Sequence, residues 1–123
     1  MDLRRLDLRR LVSLWLPVVA WAGVIFAFSS VPSLNSGLGT WDHILRKFAH
    51  AAEYAVLAAL AFRATRSAPA AFALAVAYAA TDEVHQLWVR GRHGSPVDVA
   101  IDAMGALVGV SAARWASARV RTL

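Results

Sequence analysis

Long apolar runs, bounded by charged or turn-forming residues, divide the chain into four segments. The first run, from Leu11 to Ser30, contains no charged residue. A helix of about 20 residues rises about 30 Å, which matches the hydrocarbon core of a bilayer. The same pattern predicts three further helices, at about residues 43–62, 68–88 and 97–115, separated by turns rich in Gly, Pro, Ser or Arg. We therefore expect one all-α domain, residues 1–123, forming a bundle of about four transmembrane helices.

The arginines lie at the ends of the apolar runs. Four are in the N-terminal tail, two are in the Arg63–Pro69 connection, and three are near the C-terminus. Cytoplasmic segments of membrane proteins carry an excess of Lys and Arg. Four spans would put all three groups on one side, so we expect both termini to be cytoplasmic.

Composition narrows the class of protein. Apolar residues make up 59% of the chain and charged residues only 17%, whereas soluble domains carry about a quarter charged residues. A net charge of +5 is also typical of nucleic-acid binding, but the arginines flank apolar runs instead of forming a face, so we expect no nucleic-acid partner. The absence of cysteine excludes disulfides, thiolate metal sites and a cysteine nucleophile. The first run is longer than the apolar part of a signal peptide and lacks a clear cleavage site, which favours a retained helix.

Polar residues occur at one end of three predicted helices. The second helix carries them in its first half, the third in its last turns and the fourth in its first turn. With the predicted orientation, all of them lie in the outer half of the membrane. A charged side chain at mid-bilayer costs roughly 2.5–3.5 kcal/mol, so each such residue is a candidate functional residue. The candidates are Lys47, His50, Glu53, Tyr54, Asp82, Glu83, His85, Gln86, Arg92, Asp98 and Asp102, together with Ser29 and Ser30 at the end of the first helix.

Helical spacing predicts how these residues face one another. The candidates of the second helix follow i, i+3 and i+4 spacings and share one stripe. On the third helix, Glu83 should point somewhat aside from Asp82. On the fourth, Gly105 and Gly109 continue the aspartate stripe and should allow another helix to approach closely.

Most candidates also have a purely structural explanation. Arg46 and Lys47 can extend to the membrane interface, and Glu53 can pair with a cation to fix the fold. A lone histidine is more commonly a hydrogen-bonded core residue than a ligand. The convergence of about ten polar residues from several helices is what favours a functional pocket.

Three chemistries are compatible with this composition. His50 or His85 with nearby acids can perform acid–base chemistry, and Lys47 and Arg92 with a histidine can bind phosphate. A divalent metal is the weakest alternative, because no recognised ligand spacing is present; its ligands would be His50, Glu53, Asp82 and His85. A serine nucleophile at the end of the first helix has no assigned base. The sequence identifies no cofactor and no oligomeric state.

Several motifs, taken in order, resemble those of the VanZ-like family of small bacterial membrane proteins. The similar segments are Phe28–Pro32 (FSSVP), Arg46–Tyr54 (RKFAHAAEY), Asp82–Gln86 (DEVHQ), and Gly91–Arg92 followed by Asp98, Asp102 and Gly105. One departure is Arg90, where the family commonly has proline. The resemblance covers about residues 26–109.

The resemblance implies a multi-pass protein of the bacterial cytoplasmic membrane, in a family linked to resistance against the glycopeptide teicoplanin. It implies no settled biochemical activity, and whether the protein is an enzyme stays open. Our leading hypothesis is a pocket that binds or modifies the head group of a membrane lipid or a lipid-linked cell-wall precursor. The candidate catalytic residues are His50, Glu53, Asp82, Glu83 and His85. The candidate substrate-binding residues are Ser29, Ser30, Lys47, Tyr54, Gln86, Arg92, Asp98 and Asp102.

Two alternatives belong to other classes of protein. The cluster can be part of a proton- or ion-coupled transporter, although the inner half of every helix has few polar residues. It can also be a non-catalytic scaffold in which the polar residues only lock the bundle.

Overall fold

Four helices make up the described part of the protein. The computed structural model describes residues 3–29, 40–86, 88 and 96–122. The helices are α1 (Leu3–Ser29), α2 (Thr40–Thr65), α3 (Ala68–Gln86) and α4 (Pro96–Thr122), and no strand occurs in these ranges. The all-α bundle predicted from the hydrophobic runs is confirmed.

Most helix ends differ from the predicted bounds. Helix α2 runs from Thr40 to Thr65 instead of about 43–62. Helix α1 begins at Leu3 and not at Leu11, because the Leu- and Arg-rich tail consists of good helix formers. Helix α4 likewise continues to Thr122. Helix α3 ends at Gln86, two residues before its predicted end. Trp88 lies in a turn, and its backbone N–H donates to the carbonyl of His85 at 3.0 Å.

A two-residue connection joins α2 to α3. Arg66 takes a left-handed backbone conformation, with φ of 58°, and its N–H donates to the Phe62 carbonyl at 2.8 Å. Ser67 then caps α3, since its hydroxyl accepts the Ala70 N–H at 3.3 Å. So short a connection makes α2 and α3 antiparallel neighbours.

Helix α2 lies at the centre of the bundle and contacts the other three helices. Helix α4 packs against α2 and α3, and α1 contacts α2 and α3 but not α4 within the described ranges. Gly105 faces Ala51 and Gly109 faces Ala55, so α2 and α4 are parallel. Helices α1 and α3 run in the opposite direction.

The contact between α2 and α4 is a contact of backbones. A Cβ atom added to Gly105 would lie 2.8 Å from the Cα of Ala51, and one added to Gly109 would lie 2.7 Å from the Cα of Ala55. Both separations are closer than real Cβ atoms approach other heavy atoms, so neither position admits a side chain. The close contact predicted from the two glycines is confirmed.

Small side chains fill the core between α2, α3 and α4. Buried alanines occur at helical spacing along α3, and others face them from the neighbouring helices. Little side-chain volume separates the backbones, which brings groups near the ends of the helices close together. The core alanines are Ala58, Ala61, Ala71, Ala75, Ala79 and Ala106.

Helix α1 is attached by side chains that bond to backbone carbonyls. The indole N–H of Trp21 donates to the Glu53 carbonyl at 2.8 Å, and the Tyr78 hydroxyl donates to the Ala22 carbonyl. These bonds fix the position of α1 along the axes of α2 and α3. They also satisfy two polar side chains inside an apolar contact.

Two of the helices are long and apolar enough to cross a membrane. They cover Asp7–Phe28 in α1 and Val97–Arg119 in α4, and only 11% and 28% of their apolar windows are buried. A helix in the core of a soluble protein would be mostly buried, and such exposed apolar faces are typical of contact with lipid or a partner. Over their described residues, helices α2 and α3 are not among the helices that are long and apolar enough to cross. A membrane protein is therefore supported, and the count of four spans and the cytoplasmic termini stay predictions.

Candidate functional site

Polar side chains from three helices gather at one end of the small-residue core. The N-terminal half of α2, the last turns of α3 and the first turns of α4 meet there. We call the group the polar cluster; its members are His50, Tyr54, Asp82, Glu83, Asp98 and Asp102.

The first pair in the cluster is His50 with Asp102. Asp102 is only 2% exposed and the His50 side chain is 24% exposed. The Nδ1 atom of His50 lies 3.6 Å from Oδ1 of Asp102, which is slightly longer than a hydrogen bond. The pair is set by the close packing of α2 on α4, because Ala51 follows His50 and meets Gly105, one turn after Asp102.

The second pair is Tyr54 with Asp82. The Tyr54 side chain is fully buried and its hydroxyl donates to Oδ2 of Asp82 at 3.2 Å. Asp82 is 5% exposed, and its other carboxylate oxygen, Oδ1, has no hydrogen-bond partner in the described part of the chain. One oxygen of a buried carboxylate therefore lacks the partner that a purely structural role would normally supply.

Glu83 extends the cluster toward α4. Its Oε1 atom is buried and lacks a hydrogen-bond partner among the described residues. Its carboxylate interacts electrostatically with those of Asp82, Asp98 and Asp102 and with the His50 imidazole. Glu83 is less buried than Asp82, and the two aspartates with which it interacts on α4 lie across the contact between α3 and α4. The cluster is thus predominantly acidic.

Three other candidates lie on α2 and α3 beside the cluster. The His85 ring stacks on Phe26 of α1, with ring centroids 4.3 Å apart, so His85 is on the side of α3 that faces α1. The charge of Glu53 acts on His50, and the Glu53 carbonyl accepts the bond from α1 described above. Lys47 is half-buried on α2, one turn before His50.

Four candidates cannot be placed. Ser29 and Gln86 are the last residues of α1 and α3. The side chains of these two residues, and the whole of Ser30 and Arg92, lie outside the described residues. Their assignment to substrate binding stays a prediction.

The geometry permits two kinds of chemistry. A buried aspartate behind a more accessible histidine can hold the imidazole in one tautomer, so that its other nitrogen accepts a proton. Unpaired carboxylate oxygens can accept hydrogen bonds from a ligand. In the part of the chain that the structure describes, no group of three or more His, Asp or Glu side chains is arranged to hold a metal ion.

Sequence reasoning missed the residues that attach α1 to the site. Phe26, which covers His85, and Tyr78, which bonds to α1, read as ordinary apolar and aromatic residues of membrane helices. The partners of the two glycines could have been found, because Ala51 and Ala55 form a small-xxx-small pair on α2.

Comparison with known proteins gives one family. The family model described as VanZ/LLP1 matches residues 10–117, a range that includes the greater part of each helix and the whole polar cluster. No curated protein and no solved structure gives a significant match.

Proposed function

Because the chain belongs to the VanZ/LLP1 family, we propose that it is a multi-pass protein of the bacterial cytoplasmic membrane that recognises an envelope lipid. In this proposal the polar cluster binds the head group of a membrane lipid or a lipid-linked cell-wall precursor. The membrane assignment is supported by the exposed apolar faces of α1 and α4.

One observation carries the proposal: two buried carboxylate oxygens, on neighbouring residues of α3, have no hydrogen-bond partner in the described part of the chain. These atoms are Oδ1 of Asp82 and Oε1 of Glu83. Buried polar groups that only stabilise a fold are normally satisfied, because an unpaired one costs roughly 1–3 kcal/mol. The bundle is otherwise held by small apolar side chains, so the two acids favour a ligand-binding explanation over a structural one.

Charge indicates which part of a head group would contact the cluster. The groups that interact with Glu83 are three carboxylates and one imidazole. Such a surface favours hydroxyl, amide or ammonium groups, which donate hydrogen bonds, and repels phosphate. A phosphate of the same ligand would therefore lie farther out, toward Lys47.

Catalysis by the same site is supported by the His50–Asp102 pair. The more exposed imidazole can reach a bound molecule, and the buried carboxylate behind it can orient the ring. A separation of 3.6 Å is compatible with this role, since catalytic hydrogen bonds often shorten only when substrate binds. A proton or ion path has less support, because the core between the polar cluster and the opposite end of the bundle contains apolar side chains such as Ala58, Ala75 and Val110.

The proposed topology is tested with reporter fusions. Both tails and the Arg63–Pro69 connection are expected to be cytoplasmic, because nine arginines lie in these segments. Periplasm-active reporters fused after Asn35 and after His93 should be active, and one fused after Arg66 should be inactive. An active fusion after Arg66 would contradict both the four-span topology and the outer position of the polar cluster.

Head-group binding is tested on the purified full chain in detergent. The probes are phosphatidylethanolamine, phosphatidylglycerol and a polyprenyl-linked cell-wall precursor, with dissociation constants measured by native mass spectrometry. We expect at least one probe to bind wild-type protein and to lose affinity in Asp82→Asn. Equal binding of every probe to both proteins would refute the assignment of the cluster.

A further inference from the structure

A second polar cavity lies at the opposite end of the bundle from the polar cluster. Its volume is about 540 Å³, and it is bounded by the α2–α3 connection and the C-terminal half of α4. Two arginines and two serines face it beside apolar residues, and none of its described lining residues is acidic. Its principal lining residues are Phe62, Arg66, Ser67, Pro69, Arg114 and Ser117.

Arg66 occupies a backbone position that suits glycine better. Its φ of 58° is in the left-handed region, where residues other than glycine are strained. Glycine is the usual residue where a helix ends with this geometry. An arginine at this position, on the wall of a cavity, favours a ligand-binding role for its guanidinium.

The first turn of α3 adds positive potential to the same cavity. Ser67 and Pro69 belong to its wall, and α3 begins at Ala68. The N-terminus of a helix carries a partial positive charge from its backbone N–H groups. The two guanidinium groups and this helix end thus favour an anion.

Neighbouring residues place the cavity at a membrane surface. Trp115 is 63% exposed, and the guanidinium of Arg119 lies 5.0 Å from its ring centroid. Exposed tryptophans next to arginines are typical of the level of the lipid head groups. In the proposed topology this level is the cytoplasmic one.

We propose that this cavity binds the phosphate of an anionic phospholipid in the inner leaflet. Arg66 and Arg114 donate to the phosphate oxygens in a charge-assisted manner, and the apolar wall at Phe62 and Pro69 accommodates the glycerol and the start of an acyl chain. Basic pockets between helices on the cytoplasmic side are suited to such head groups. This second site is separate from the polar cluster and rests only on the proposed topology.

The test measures the affinity of the full chain for phosphatidylglycerol and phosphatidylcholine in detergent, by native mass spectrometry. Wild-type protein should bind phosphatidylglycerol more tightly. Arg114→Gln and Arg66→Gly should each weaken that binding about 10-fold or more, the usual loss for a hydrogen bond to a charged group. Arg119→Gln removes the same charge from α4 outside the cavity and should change affinity by less than about 2-fold.

Arg66→Gly separates binding from folding. Glycine removes the guanidinium and also relieves the left-handed backbone conformation, so its unfolding temperature should equal or exceed that of wild type while binding is lost. Three results would overturn the proposal: an equal loss in Arg119→Gln, wild-type affinity in both cavity variants, or full displacement of the lipid by millimolar inorganic phosphate. The last result would show a site for free anions instead of lipid.

Discussion

Replacing Gly105 with leucine is expected to remove most of the folded protein. A Cβ at this position would meet the backbone of Ala51 at 2.8 Å or less, and a backbone inside a helix cannot move aside as a flexible side chain can. Inserting a large side chain into a packed contact typically costs about 1–3 kcal/mol, and we expect roughly 3 kcal/mol or more here. The readouts are the yield of monodisperse protein in detergent and the midpoint of thermal unfolding.

Gly23→Leu is the matched control. It makes the same substitution inside α1, where an added Cβ would meet no atom of another described helix within 4 Å. Leucine also favours helix over glycine by roughly 0.8–1 kcal/mol, so this variant should be at least as stable as wild type. If Gly105→Leu folds as well as Gly23→Leu, the close contact of α2 with α4 does not exist and the His50–Asp102 pair loses its structural basis.

The second large effect concerns binding. Asp82→Asn and His50→Gln are each expected to weaken the binding of the recognised head group about 10-fold or more. The first change removes a carboxylate and the second removes an imidazole that can accept a proton. Both substitutions nearly conserve volume, so packing should be retained. Binding is measured with the lipid probes named above.

Asp7→Asn is the control for loss of one carboxylate. Asp7 is exposed on α1 and lies outside the polar cluster, so its substitution should leave the dissociation constant within about 2-fold of wild type. If Asp82→Asn changes binding no more than Asp7→Asn does, the buried aspartate is not part of a head-group site.

The helices and one helix contact could be predicted because their signals are local. An apolar run such as 11–30 can be interpreted as a helix by comparing its length with the thickness of a membrane. The pair Gly105 and Gly109, spaced by one turn, predicts a close approach whatever the partner helix is. Convergence of polar residues at one end follows from helix direction alone, and the positions of His50, Asp82 and Asp102 agree with it.

The orientation of individual side chains could not be predicted in the same way. The stacking of His85 on Phe26 and the depth to which Glu83 is buried depend on the rotation and crossing angle of α3, which tertiary packing sets. The basic cavity was missed for a different reason. Arg66 and Arg114 lie far apart in the sequence and are explained adequately, one at a time, by the topology of a membrane protein.

The stability of Asp82→Asn tests most directly whether the polar cluster serves a ligand or only the fold. Asparagine keeps an oxygen that accepts the Tyr54 hydroxyl, as Oδ2 does at 3.2 Å, and removes a buried charge that is costly to keep in an apolar bundle. Head-group recognition therefore predicts that the thermal unfolding midpoint of Asp82→Asn in detergent equals or exceeds that of wild type. A midpoint lowered by several degrees, with folded yield falling in proportion to binding, would contradict head-group recognition and show that the cluster only stabilises the fold.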